Sequence, residues 1–165
     1  MKTTKAGKAL ANEMKIKFLG VSENERLARI CVAGFIMDLR VSAQELADVK
    51  TSVSEAVTNS IVHGYKNRRG YVTLCAKLFG TDELYISVSD DGCGIEDVEK
   101  ARQPLFTTDP GSERCGMGFP IMESFMDKVK IYSRPGKGTK VIMIKKLGCD
   151  LAVKDGSAAV KRGKK

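Results

Sequence analysis

The chain has 165 residues, 42% of them apolar, a length that fits one domain and supplies it with a core. Its net charge of +8 is gathered at the ends: residues 1–17 hold five Lys against one Glu and residues 145–165 hold seven Lys or Arg against two Asp, leaving 16 basic against 17 acidic residues between. A folded body of balanced charge argues against nucleic acid as a direct ligand, and the chain has neither a membrane-length apolar run nor a secretory signal, so a cytoplasmic protein is expected.

Residues 14–19 alternate apolar and basic and predict a strand with one buried face, preceded by a basic tail over 1–13. Ser22-x-x-Glu25 is a capping-box pattern, and Leu27, Ile30, Cys31 and Gly34 carry helical spacing to about Leu39. Ser42-x-x-Glu45 repeats the start signal. The helix that follows places Leu46, Val49, Val53, Val57 and Ser60 on one stripe, with Gly64 as its stop. Tyr71–Phe79 and Glu83–Asp90 read as strands joined by a Gly-Thr-Asp turn. Between Gln103 and Phe119 periodicity is lost among two Pro and three Gly, a stretch whose length suits a functional loop. A short helix over about Met117–Met126 and a hairpin of Val129–Ser133 with Thr139–Lys145 complete the elements. This order predicts an α+β two-layer sandwich with a mainly antiparallel sheet over residues 14–147, followed by a disordered basic tail over 148–165.

The five cysteines are scattered and never form C-x-x-C, which argues against a zinc site and a disulfide framework. Three other constellations carry chemistry. Glu55 and Asn59 stand four residues apart, about 40° around a helix and off its apolar stripe. Asn offers a neutral oxygen to Mg²⁺, and Glu beside it accepts a proton from an attacking hydroxyl. Asp90 replaces an apolar residue in the inward register Leu84, Ile86, Val88, and Asp-Asp-Gly-Cys-Gly follows it. A buried carboxylate needs a donor, which an exocyclic amine such as that of adenine supplies, while Gly92 and Gly94 allow positive φ and the close approach of a flat ring. Arg114-Cys-Gly116-Met-Gly118-Phe119 opens a helix, where free backbone N–H groups and a fixed cation suit phosphate.

In this order the three constellations resemble the Asn box and glycine boxes of the GHKL superfamily of gyrase-type ATPases and histidine kinases. Within it, the runs Val53–Tyr65, Ala101–Thr108 and Gly116–Glu123 are similar to the sporulation anti-sigma-F factors of endospore-forming bacteria, over about residues 14–145. The resemblance implies catalytic roles for Glu55 as base and Arg114 at the terminal phosphate, and Asn59 as Mg²⁺ ligand. Asp90 would meet adenine with support from Thr139. Gly92, Gly94, Thr107, Thr108, Gly116, Met117 and Gly118 would line ATP or ADP. His63 would sit beside the nucleotide, or else interact with the helix C-terminal dipole. Arg29 would face protein partners. Cys115 departs from the small hydroxyl residue expected there. The implied activity is that of a protein serine kinase which also binds and inhibits a sigma factor and phosphorylates an anti-anti-sigma factor, working as a homodimer. A nucleotide-sensing anti-sigma module without kinase activity is the alternative.

Overall fold

A ten-residue strand, β1 (Leu10–Leu19), opens the fold and leads into α1 (Glu23–Ile36) and α2 (Ala43–Thr58). The hairpin β2 (Tyr71–Phe79) and β3 (Glu83–Ser89) follows, then α3 (Val98–Ala101), α4 (Gly118–Phe125) and a second hairpin of β4 (Lys128–Ser133) and β5 (Thr139–Lys146). The computed structural model describes residues 7–39, 41–66, 68–105 and 116–148. The five strands form one sheet in the order β1-β2-β3-β5-β4, every neighbouring pair antiparallel. The predicted α+β sandwich is therefore the architecture observed. No helix among the described residues is long and apolar enough to cross a membrane.

One sheet face carries Val72, Leu74, Ala76, Leu84, Ile86, Val88, Val141 and Met143, all buried against Val32 and Ile36 of α1, Val49, Val53 and Val57 of α2, and Phe119 and Met122 of α4. Strand residues of opposite parity face away from the helices. In register across the sheet they bring together Lys17, Thr73, Ser89, Lys140 and Tyr132 in one row and Lys15, Cys75, Ser87, Ile142 and Lys130 in the next. Lys15, Lys17, Lys145 and Lys146, counted above with the basic ends, thus lie within strands. β1 begins four residues ahead of its predicted start because β2 offers partners as far as Phe79, opposite Leu10.

Two sequence signals of the same form turned out differently. Ser42 caps α2 as expected: its hydroxyl accepts from the Glu45 amide at 3.1 Å, and Glu45 Oε2 accepts from the Ser42 amide at 2.7 Å. Ser22 has helical φ and ψ and makes no capping bond, because Glu25 instead accepts from Ser54 on α2 and lies 3.7 Å from Arg29. The apolar spacing in α1 also needs correction. Its buried side is Ala28, Val32 and Ile36, whereas Leu27 and Ile30 are 46% and 61% exposed on the opposite side. One helix therefore carries two apolar stripes, and the fold covers one of them.

Glu45 ties three elements together. Burial pushes its carboxyl up, but the Ser42 and Gly148 amides, the Ser42 hydroxyl and the Lys145 charge outweigh that and hold it below the usual range. Lys145 also bonds Asp48 at 3.4 Å and the Phe125 carbonyl at 2.7 Å. A carboxylate with a depressed pKa stabilises the fold above its unfolded-state pKa and loses that effect as pH falls through the folded value. Glu45→Gln is expected to cost about 1–2 kcal/mol at pH 7 and to flatten the loss of stability below pH 4.5, measured by urea unfolding between pH 3 and pH 7.

Candidate active site

α2 does not stop at Thr58. It runs on through a π-helical turn, Asn59–Gly64, closed by the Tyr65 amide bonding the Ser60 carbonyl at 3.1 Å. Gly64 ends this turn as predicted, but the widened geometry is not visible in the apolar spacing. Such turns concentrate at functional sites because the extra residue per turn re-aims side chains. Here it delivers Asn59, Ser60 and His63 to the wall of one cavity of about 550 Å³, within the range of small-molecule sites.

The opposite wall is the end of β3. Asp90, 6% exposed, lines the cavity. Its Oδ1 accepts from the Gly92 amide at 2.9 Å and the Thr139 amide at 3.3 Å, and its own amide donates to the Thr139 carbonyl at 3.0 Å. Burial raises its pKa; bonds from Gly92, the Ser60 hydroxyl and Thr139 pull the other way without cancelling it, and Asp91 adds repulsion. The carboxylate has neutral donors and an anion, Asp91, beside it, so a further donor from a ligand amine would be favourable there.

The glycines act differently from one another. Gly94 has φ +71°, and a Cβ there would lie 2.0 Å from the Arg134 carbonyl. Gly92, by contrast, is not in the positive-φ region; its Cβ would lie 2.3 Å from the Gly64 carbonyl oxygen, so it serves the packing of the Asp90 turn onto the π-helical turn. The Cys93 amide bonds that same carbonyl at 2.8 Å, and the Cys93 thiol donates to the His63 carbonyl at 3.1 Å. At the start of α4, a Cβ on Gly118 would stand 3.0 Å from Glu55 Oε2 and 3.1 Å from Asn59 Nδ2, so glycine lets this helix end approach the pair closely. Met117 precedes it and makes no capping bond, which leaves the first amides of α4 to other acceptors.

Of the predicted residues, Asn59, His63, Asp90, Gly94, Gly116, Gly118 and Thr139 line the cavity. Glu55 stands one helical turn before Asn59 and both face Gly118, Gly92 packs on Gly64, and Met117 is the N-cap of α4; Glu55, Gly92 and Met117 are not among the residues that line the cavity. Arg29 lies apart on α1. Thr107, Thr108, Arg114 and Cys115 fall outside the described residues. Ser60, on the packing stripe that continues from α2, also lines the cavity; its hydroxyl donates to the Ala56 carbonyl at 3.3 Å and pulls the Asp90 pKa down. A hydroxyl in an apolar stripe was the available signal. Lys66, at φ +46°, and Lys100 also line the cavity, and no sequence pattern marked them.

Comparison with known proteins accords with this geometry. Residues 22–145 match the family model described as a histidine kinase-like ATPase domain. The anti-sigma F factor of Clostridium acetobutylicum is 56% identical over 137 residues, 83% of this chain and 95% of its own length. That of Thermoanaerobacter sp. (strain X514) is 52% identical over 139 residues, 84% of this chain and 96% of its own. Among solved structures, the RsbU and RsbW domains of a Mycobacterium tuberculosis protein superpose with a TM-score of 0.61 at 19% identity, covering 83% of this chain and 33% of that one. The catalytic domain of histidine kinase ThkA gives 0.53 at 21% identity, covering 81% and 96%. By fold, cavity and sequence the chain belongs to the anti-sigma F factors, a group built on the histidine kinase-like ATPase domain.

Proposed function

We propose that this chain binds a sigma factor and holds it inactive, and that it transfers the terminal phosphate of ATP to a serine of an anti-anti-sigma factor. The observation that carries the reading is the cavity with unlike ends: a buried carboxylate with a raised pKa, Asp90, at one, and Asn59 with Glu55 against the uncapped start of α4 at the other. A nucleotide has the same polarity, an exocyclic amine at one end and phosphates at the other. Asp90 accepts from adenine, with Thr139 behind it. The α4 amides and the predicted Arg114 receive phosphate, and His63, Gly94, Gly116 and the predicted Thr107 and Thr108 line the space between.

The residues present suit Mg²⁺ chemically: Asn59 supplies a hard neutral oxygen beside the phosphate end, and the ion when bound neutralises charge on the transferred group. Glu55 takes the proton of the attacking hydroxyl, and positioning with charge neutralisation carries most of the rate. Glu55→Gln is expected to retain ADP affinity within about twofold while phosphate transfer falls by two orders of magnitude or more, followed with labelled ATP and the antagonist protein. Undiminished transfer removes Glu55 from the role of base. Absence of a phosphorylated antagonist with the unmodified chain at saturating Mg·ATP supports the second reading, a nucleotide-sensing module without transfer.

Asp90 answers for affinity. With a raised pKa, its ionised form costs stability at neutral pH, so Asp90→Asn is expected to raise the unfolding midpoint of the nucleotide-free protein while weakening ADP at least about tenfold. Calorimetric scanning and titration of the same samples measure both effects.

The protein partners meet α1. Arg29 is held on it by Glu25, and Leu27, Ile30 and Met37 are exposed on one side, with Leu19 and Val21 at the preceding corner. A stripe of this kind suits a two-fold contact between copies, with Arg29 beside it for the sigma factor, in a cytoplasmic setting. Ile30→Asp is expected to convert the dimer to monomer in sedimentation equilibrium without loss of helical content.

A further inference from the structure

The residue that closes the π-helical turn reaches the adenine end of the cavity from behind. Tyr65 is 5% exposed. Its ring fills a slot between two glycines: a Cβ on Gly70 would lie 1.9 Å from Cε1 and one on Gly20 3.0 Å from Cδ2, while the Gly20 amide bonds the Gly70 carbonyl at 2.8 Å. The slot leaves the ring one position. Its hydroxyl there donates to the Tyr71 carbonyl at 2.5 Å and accepts from the Asp91 amide at 3.1 Å. Burial, with the charges of Asp90 and Asp91, keeps the phenol protonated despite the Asp91 bond, so its role as donor to Tyr71 persists at neutral pH.

The Asp91 amide belongs to the peptide unit that follows Asp90. The carbonyl of that same unit is pressed from the other side by Gly138, where a Cβ would lie 2.0 Å from the Asp90 oxygen. One peptide plane is thus gripped at its N–H by Tyr65 and at its C=O by the β4–β5 hairpin. Its orientation sets the backbone torsion of Asp90 and so the direction in which the carboxylate enters the cavity. No other described hydrogen bond involves the Asp91 amide.

We propose that Tyr65 is a positioning residue for base discrimination: by holding the Asp91 amide, its hydroxyl fixes the aim of the Asp90 carboxylate and with it the preference for adenine over guanine nucleotides. This rests on the reading of Asp90 as the acceptor of the adenine amine. Guanine presents a carbonyl where adenine presents that amine, so a well-aimed carboxylate repels one and binds the other.

The test uses the full chain with ADP and GDP, and compares unmodified protein, Tyr65→Phe and Asp90→Asn by isothermal titration. Tyr65→Phe keeps the ring in its slot and removes only the hydroxyl, so the ratio of the GDP to the ADP dissociation constant is expected to fall about fivefold or more. A merely structural role weakens both nucleotides alike, and an unchanged ratio in that variant overturns the proposal. If Asp90→Asn leaves the ratio unchanged, the reading of Asp90 itself fails; if Asp90→Asn collapses the ratio while Tyr65→Phe does not, only the role of Tyr65 fails. Should Tyr65→Phe not fold, amide exchange in the unmodified, nucleotide-free chain decides: protection of the Asp91 amide approaching that of the β3 amides supports the grip, and exchange at the unstructured rate overturns it.

Discussion

The structure turns on the burial of one carboxylate at the meeting of three chain segments. Asp90 lies where β3 ends, against the π-helical turn after α2 and beside the start of β5. Three glycines allow this convergence. A Cβ on Gly64 would lie 3.0 Å from Asp90 Oδ1, one on Gly92 would strike Gly64, and one on Gly138 would strike the Asp90 carbonyl. The segments are backbone against backbone, so side chains are excluded there for reasons of space before any ligand is considered. The cavity is the room left on the far side of that contact, lined there by Ser60, Asp90 and Thr139, with the Thr139 amide donating to Asp90.

Much of this was legible in the sequence, and the particular residues show why. Helical spacing sets Glu55 and Asn59 on one side of their helix, and it is their order with the Asp90 and Gly116–Gly118 constellations that singles the pair out. Asp90 was readable as a break in alternation, because a strand's period of two leaves no ambiguity about which side a residue faces. The two-layer arrangement followed from the order of such elements. Each of these is a local inference, and local rules sufficed.

What was not legible depends on contacts distant in sequence. Ser22-x-x-Glu25 and Ser42-x-x-Glu45 are the same local signal, and nothing within either tetrapeptide distinguishes them. Ser54, on another helix, takes Glu25 and leaves the first box unformed. The two stripes of α1 are a similar case: periodicity identifies apolar sides without saying which one the sheet covers, and Leu27 and Ile30 lie on the side it leaves open. The π-helical turn is set by the demand that Gly64 meet Gly92 and Cys93, a tertiary constraint with no trace in hydropathy. Gly92 matters to the fold through that contact and not through its φ.

The two buried carboxylates among the described residues stand in different surroundings. Glu45 and Asp90 are both nearly inaccessible, and burial pushes both toward protonation. Around Glu45 stand two amides and a hydroxyl with the Lys145 charge nearby, and together they hold its pKa below the ordinary value. Around Asp90 there are likewise two amides and a hydroxyl, but the remaining charge nearby is Asp91, another anion, and the balance falls on the protonated side. Among the described residues the difference between the sites is one favourable charge, which Lys145 supplies beside Glu45 and which Asp90 lacks. A protein that selected only for stability would furnish both, as it has at Glu45. Asp90 thus keeps a buried acceptor on the cavity wall at a cost in stability, which a donor from a ligand would offset.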